Sequence, residues 1–412
     1  MPSVMTLVAS TDRAVGPVAT TERIDVLDVL RGAAVYGILL YNIGSLSGYD
    51  FISPDQRSRL GPPGADQRLA FLLEFLVQGK FYCLFSFLFG VGFSVFIQRA
   101  QARGGEAVRL FKRRLLGLLL IGLVHSILIW MGDILTAYAV LGFALIPFVR
   151  RDDRSVLRWS VAMFAAPVPL YLVMLGLATF VPQPKTAGGD ALPPILARAV
   201  DGFVHGSYLD VVRGNVVFTI ANVLRRLLLM FFPRVFGMFL LGFYAGRRGL
   251  FADLDANGTL IRWTFCGGLL LGLPLAFAGA WLGDSGSPRP PTLLGLVEVI
   301  VESIGTPLLS LAYAAGICLL YQRWRAVRSL APAGRMALSN YLFQSIAGVA
   351  LFYGIGFGLF GRVGLSLVVF GATVFFGLQI VFSRWWLEQA AFGPAEWIWR
   401  QFTYRQRFAL WR

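Results

Sequence analysis

Residues 113–143 read RRLLGLLLIGLVHSILIWMGDILTAYAVLGF. Two apolar runs, 114–131 and 133–149, are joined by almost nothing, the turn WMGDIL, so two helices must meet there as an antiparallel hairpin. Each run comes close to the roughly 20 residues that cross a hydrocarbon core. Into this hairpin the chain places a histidine and an aspartate. An ionisable group at the bilayer centre costs about 2.5–3.5 kcal/mol on insertion scales, so each needs a partner or a wet cavity.

Working outward, similar runs recur at 26–46, 80–98, 157–181, 228–247, 260–282, 293–320, 336–355 and 362–383, which makes ten spans in 412 residues. Hydrophobic residues make up 57% of the chain and charged ones 14%, with a mean hydropathy of +0.68. That balance excludes an ordinary soluble domain. The expected fold class is all-α, a polytopic membrane protein with about ten transmembrane helices. A flexible N-terminus (1–22), a single transmembrane domain (23–383) and a basic cytoplasmic tail (384–412) complete the organisation.

A net charge of +15 and a pI near 10.3 would point a soluble protein to nucleic acid, but topology accounts for them here, and no nucleic-acid partner is expected. With the N-terminus inside, the loops assigned to the cytoplasm hold 24 of the 37 lysines and arginines and the outer segments 10. Short basic loops resist translocation, so both termini are placed in the cytoplasm. Cys83, Cys266 and Cys318 all lie in apolar runs and offer neither a disulfide framework nor metal spacing. No signal-peptide cleavage pattern follows the first span.

Two segments depart from plain spanning helix. Residues 51–79 combine a Pro/Gly turn with RLAFLLEFLVQGK, suited to the outer interface. Residues 182–227 begin with PQPKTAGGD and continue in mixed apolar and polar sequence, predicting an outer-side loop with interfacial helices able to roof a cavity. Small residues every four positions (Ser86, Gly90 and Ser94; Gly242 and Gly246; Gly268 and Gly272; Gly354 and Gly358) predict close helix packing and are compatible with a homodimer.

The polar residues inside spans are the candidate chemistry. Asp28 and Arg31 lie three apart and share a helix face; they read either as an inner-interface staple or as a binding site for an anionic group from the cytoplasm. Asn42 follows eleven residues later, near the same face in the outer half. His125, with Asp133 at the hairpin tip, is the residue suited to take and return a proton. Glu298 and Glu302, with Arg234, form either a salt bridge or a polar mouth. Asn340 and Gln344, beside Ser339 and Ser345, are amides in a buried helix. No phosphate-binding loop, dinucleotide fingerprint or metal motif is present.

RIDVLDVLRGAAVYGILLYNI, GKFYCLFSFLFGVGF, the hairpin sequence, FLLGFYAGRRGLF, GRMALSNYLFQS and GPAEWIWRQFTY, in that order from about Arg23 to Tyr404, resemble the YeiB family, whose C-terminal half is the domain of unknown function numbered 418. The resemblance implies a multi-pass protein of the bacterial inner membrane. The LDVLRG opening is more distantly similar to transmembrane acyltransferases of the acyltransferase-3 and heparan-α-glucosaminide N-acetyltransferase types. Those enzymes pass an acyl group from a cytoplasmic thioester to an acceptor across the membrane. That similarity implies that Arg31 sits by the donor route; Asn42 stands where the acyltransferase-3 pattern has a histidine.

The leading expectation is therefore a membrane transacylase. A thioester such as acyl-CoA enters past Asp28 and Arg31, and His125, oriented by Asp133, activates an acceptor hydroxyl or amine. Asn42, Asn340 or Gln344 supply neutral donors to the oxyanion. Membrane lipids and a small-molecule or glycan acceptor are the partners, with no bound cofactor and no metal. The alternatives are a transporter or flippase for a lipid-linked or anionic solute, and a non-catalytic membrane scaffold.

Overall fold

A computed structural model describes residues 24–62, 64–102, 106–178, 180, 192–228, 231–283 and 292–412, the side chains of 224–228 excepted. The expected flexible N-terminus (1–22) and the PQPKTAGGD segment lie outside the described residues. From the first helix to the hairpin the elements are α1 (Asp25–Leu46), α2 (Pro54–Ser58), α3 (Ala65–Leu76), α4 (Lys80–Ala102), α5 (Ala107–Val124) and α6 (Leu135–Leu145). The middle of the chain forms α7 (Asp153–Ala165), α8 (Pro167–Ala178), α9 (Pro194–His205), α10 (Tyr208–Leu228) and α11 (Phe231–Arg247). The last third forms α12 (Gly258–Leu282), α13 (Leu293–Arg323), α14 (Ala331–Arg335), α15 (Ala337–Phe352), α16 (Leu365–Gln389) and α17 (Pro394–Tyr404). The one extended pairing among the described residues is an isolated bridge between Ala390 and Trp411.

Each of the ten expected spans coincides with helix over most of its described residues, and the chain is an all-α polytopic membrane protein. Asp25–Leu46, Ala65–Ala102, Asp153–Ala178, Gly258–Leu282, Leu293–Arg323 and Leu365–Gln389 are long and apolar enough to cross a membrane, and Leu135–Arg150 and Ala337–Phe352 are shorter apolar helices. The spanning parts of α1 and α4 are mostly buried, whereas α7–α8, α12 and α16 turn residues such as Val173, Leu270, Phe370 and Val381 outward. In hydrocarbon an exposed leucine costs nothing, so what orders the bundle is close packing and hydrogen bonding.

The small-residue faces supply that packing inside one chain. A methyl group at Gly90 would run into the carbonyl oxygen of Phe239, and one at Gly242 into that of Phe87, so α4 and α11 touch backbone to backbone. One turn further on, Gly246 faces Ser94. Gly268 and Gly272 admit Leu308, Leu309 and Ala312 of α13, and Gly354 admits Val204 of α9. Four of these faces are thus used within the protomer and no longer argue for a homodimer.

Residues 51–79 form α2, α3 and the turns around them at the outer end, where Asp66 accepts the backbone N–H groups of Leu365 (2.7 Å) and Ser366 (2.9 Å) and caps α16. At the basic end the tail is folded, not loose. Helix α16 continues to Gln389, and α17 docks beneath the bundle, with the Trp399 indole N–H donating to the Arg114 carbonyl (2.7 Å) and the Arg114 guanidinium 3.8 Å from the Trp399 ring. Glu396 accepts from the backbone of Leu338 and Ser339 and from the Ser339 hydroxyl, closing the start of α15.

Replacing Gly242 with Leu should force α4 and α11 apart and lower the thermal unfolding midpoint in detergent, whereas Gly371→Leu, at a position with open space around it, should leave it unchanged. Burial lifts the Glu396 carboxyl above its ordinary value, with the hydrogen bonds from Ser339 and Leu338 opposing that rise. A raised folded pKa means that the native state holds the proton longer than the unfolded chain. The stability Glu396 contributes is therefore complete below the unfolded carboxylate pKa and lost as pH rises through the folded value. Unfolding scans of the wild type and Glu396→Gln across this range should diverge, with the wild type losing ground as pH rises; parallel curves would contradict this.

Candidate functional site

The hairpin is built differently from a plain pair of spans. Helix α5 ends in a π turn, His125–Ile129, closed by the Trp130 N–H donating to the His125 carbonyl at 2.8 Å. Such widened turns recur at functional sites because they re-aim side chains. The turn expected at the outer surface is buried within the protein, with Trp130, Met131 and Asp133 all closed off from solvent.

His125 is fully enclosed, yet both ring nitrogens have partners. Nδ1 lies 3.0 Å from Asp133 Oδ1, and Nε2 lies 2.9 Å from the Ser345 hydroxyl on α15. Asp133 also accepts the backbone N–H groups of Leu135 (3.1 Å) and Thr136 (2.7 Å) at the start of α6, which fixes the carboxylate in place. A carboxylate only accepts, so Nδ1 of the neutral ring carries the proton and the Nε2 lone pair faces the Ser345 O–H. A hydroxyl, an imidazole and a carboxylate thus stand in series, the order of nucleophile, base and orienting acid.

A roof covers this chain. The carbonyls of Ser126, Ile127, Leu128 and Met131 accept from Thr219 (3.4 Å), Asn215 (3.2 Å), Tyr208 (2.8 Å) and Asn222 (3.5 Å) of α10. The π turn frees carbonyls that lipid cannot satisfy, and α10 satisfies them. These four contacts are single neutral hydrogen bonds. The expectation that part of 182–227 forms a roof thus finds its structural counterpart in α10, seated on the hairpin.

The other candidates fall into separate places. At the basic end Arg31 Nη1 bonds Asp28 Oδ1 at 2.7 Å, as their spacing predicts, with Arg31 partly open to solvent and Gly92 of α4 beside it. Near the outer end Arg234 and Glu302 pair at 2.7 Å, and buried Lys80 donates to the Glu74 carbonyl at 2.9 Å; Glu298 and Glu74 both lie against Gly283. Asn42 is half-buried and has no hydrogen-bond partner among the described residues. Asn340 bonds the Ala333 carbonyl and Ser383, and Gln344 bonds Gln379 at 2.8 Å, so these amides join α15 to α14 and α16 instead of pointing at an oxyanion.

Ser345 stood in the sequence as one more polar group in α15, and its role was not legible, because its partner lies 220 residues away. A serine in a helix ordinarily donates back to the carbonyl four residues earlier. Here that contact, to Tyr341, stretches to 3.4 Å, and the shorter approach is to the imidazole.

The family model described as a protein of unknown function (DUF418) matches residues 245–406. The chain is 34% identical over 407 residues to the uncharacterized protein YxaH of Bacillus subtilis (strain 168), covering 94% of this chain and 96% of that protein. It is 32% identical over 401 residues to the uncharacterized protein YeiB of Escherichia coli (strain K12), covering 93% and 97%. An uncharacterized 39.9 kDa protein from the amylase 3′ region of Bacillus acidopullulyticus is 31% identical over 411 residues, covering 96% and 97%.

Asp133→Ala would strip the imidazole and two backbone N–H groups of their acceptor at once, and the expected cost is about 3 kcal/mol or more. Asp133→Asn keeps an acceptor oxygen and should cost less. Denaturant unfolding in detergent measures both, and an Ala variant as stable as the wild type would contradict the geometry.

Proposed function

The chain belongs to the family of YeiB and YxaH, and on that footing we propose that it is a transacylase of the bacterial inner membrane, moving an acyl group from a cytoplasmic thioester to an extracytoplasmic acceptor. The observation that carries this reading is the series Asp133, His125, Ser345, at 3.0 and 2.9 Å. It is a base held in one tautomer with its lone pair aimed at a hydroxyl. The similarity of LDVLRG to transmembrane acyltransferases supports it, and the origin of these three relatives in bacteria supports the bacterial plasma membrane as its place.

In this reading Arg31, held by Asp28 at the basic end, meets the anionic part of the donor, for which acyl-CoA is the natural chemical type. His125 takes the proton of the attacking hydroxyl through Nε2 and returns it to the leaving thiolate. Asp133 steadies the imidazolium formed in between. The thioester carries its own leaving group, so neither redox nor metal chemistry is asked for. A small-molecule or glycan hydroxyl or amine is the acceptor, and α10 must lift for it to enter. A homodimer is not required.

A second reading, transport of an anionic solute, is favoured by one feature, the buried Lys80 and Arg234 with half-buried Glu302 at the outer end. Intramembrane charge of this kind often marks a pathway.

The protein purified in detergent should release free thiol from acyl-CoA, and His125→Gln, assayed at a temperature where it is still folded and monodisperse, should lower that rate by about 10²-fold or more. Arg31→Ala should raise KM for the donor more than it lowers kcat. Thiol release in His125→Gln equal to wild type would remove His125 from the reaction. Reconstituted vesicles that accumulate a labelled anion of unaltered mass would instead support transport.

A further inference from the structure

In a one-step transfer the acceptor's own hydroxyl would have to reach Nε2 of His125. That position is already filled: Ser345 Oγ lies there at 2.9 Å, on a helix anchored to its neighbours by Asn340 and Gln344. An acceptor could reach the base only by displacing a side chain that has no other good partner, since its alternative contact to the Tyr341 carbonyl is 3.4 Å long. The hydroxyl that His125 can deprotonate without rearrangement is the serine's own.

We propose that Ser345 is the nucleophile of this protein and carries the acyl group as an acyl-serine between donor and acceptor. The inference rests on the transacylase reading and makes the transfer a two-step exchange. In the first step Ser345 Oγ bonds the thioester carbonyl carbon and the C–S bond breaks. The serine proton passes to His125 Nε2 and on to the departing thiolate, which leaves as a thiol. In the second step the acceptor hydroxyl or amine attacks the acyl-serine and gives its proton to Nε2. The C–Oγ bond then breaks, and Oγ takes the proton back.

The surroundings suit such an intermediate. Ser345, His125 and Asp133 are all closed to water, which protects an ester from hydrolysis while it waits for its acceptor. Trp130 stands edge-on to the imidazole, 6.4 Å between ring centroids, and walls the site with a buried ring. The helix α10, joined to the hairpin tip by neutral hydrogen bonds, is the part that must open.

Two probes applied to the full-length protein in detergent separate the nucleophile from the donor. An alkyl fluorophosphonate, which reacts with activated serines whatever the acyl chain of the natural donor, should label Ser345, as mapped by peptide mass spectrometry. Labelling should vanish in Ser345→Ala and slow by about 10²-fold in His125→Gln. Acetyl-CoA without acceptor should leave an acetyl ester on Ser345 that resists neutral hydroxylamine. Ser345→Cys, which keeps a nucleophile of similar size should the Ala variant misfold, should carry a hydroxylamine-labile thioester instead.

Thiol release at the wild-type rate in Ser345→Ala, with no label on the wild type, would overturn the acyl-serine and leave the transfer reading standing. Label on Ser345 with no thiol released from acyl-CoA would overturn the thioester donor and leave the nucleophile. Absence of both label and thiol release would overturn the two together.

Discussion

Nothing in a hydrocarbon core can satisfy a polar group from outside the protein, and the centre of this molecule is organised by that constraint. One imidazole at the end of α5 needs a partner on each ring nitrogen, and meeting that need joins three distant parts of the chain. Asp133 on one side also holds the first N–H groups of α6, so the same carboxylate that orients the ring starts the returning helix. Ser345 on the other side ties the hairpin to α15. The π turn that places His125 leaves carbonyls open, and α10 closes them. A hairpin with a buried turn, a helix laid over it and a three-residue polar chain are one solution to one problem.

The same rule accounts for the polar groups around this centre. Asn340, Gln344, Gln379 and Ser383 spend their hydrogen bonds on one another and on nearby carbonyls, which locks α15 to α16 and steadies the helix that presents Ser345. Arg234 and Glu302 neutralise each other near the outer end, and Arg31 is held by Asp28 near the basic end. Polar groups are thereby spread over three levels of the bundle. A donor recognised at one end and an acceptor admitted at the other would meet at the middle one.

Much of this was legible in the residues. Spans announce themselves by hydropathy and length, so a helix lies at each of the ten expected places, and the three-residue spacing of Asp28 and Arg31 and the short turn between His125 and Asp133 each imply contact without knowledge of the fold. Glycines at four-residue spacing pointed to close packing, although only the fold shows that Gly90 and Gly242 meet each other. What could not be read were pairings across long separations: Ser345 with His125, Asp66 with the start of α16, α10 with the hairpin tip. The burial of the hairpin turn was hidden as well, because the helix laid against it, α10, lies some 80 to 93 residues away in the chain.

The chain holds two histidines, and the second, His205, is exposed and paired with Asp201 within its own helix, so its replacement leaves His125 as a single reporter. Nitrogen-15 NMR of imidazole-labelled His205→Gln protein in detergent reads both ring nitrogens of His125 directly. The expected spectrum has the proton on Nδ1, Nε2 unprotonated and shifted as a hydrogen-bond acceptor, with the Nε2 signal displaced in Ser345→Ala. A proton resident on Nε2, or averaged ring signals typical of a freely solvated histidine, would contradict the polar chain on which the site is built.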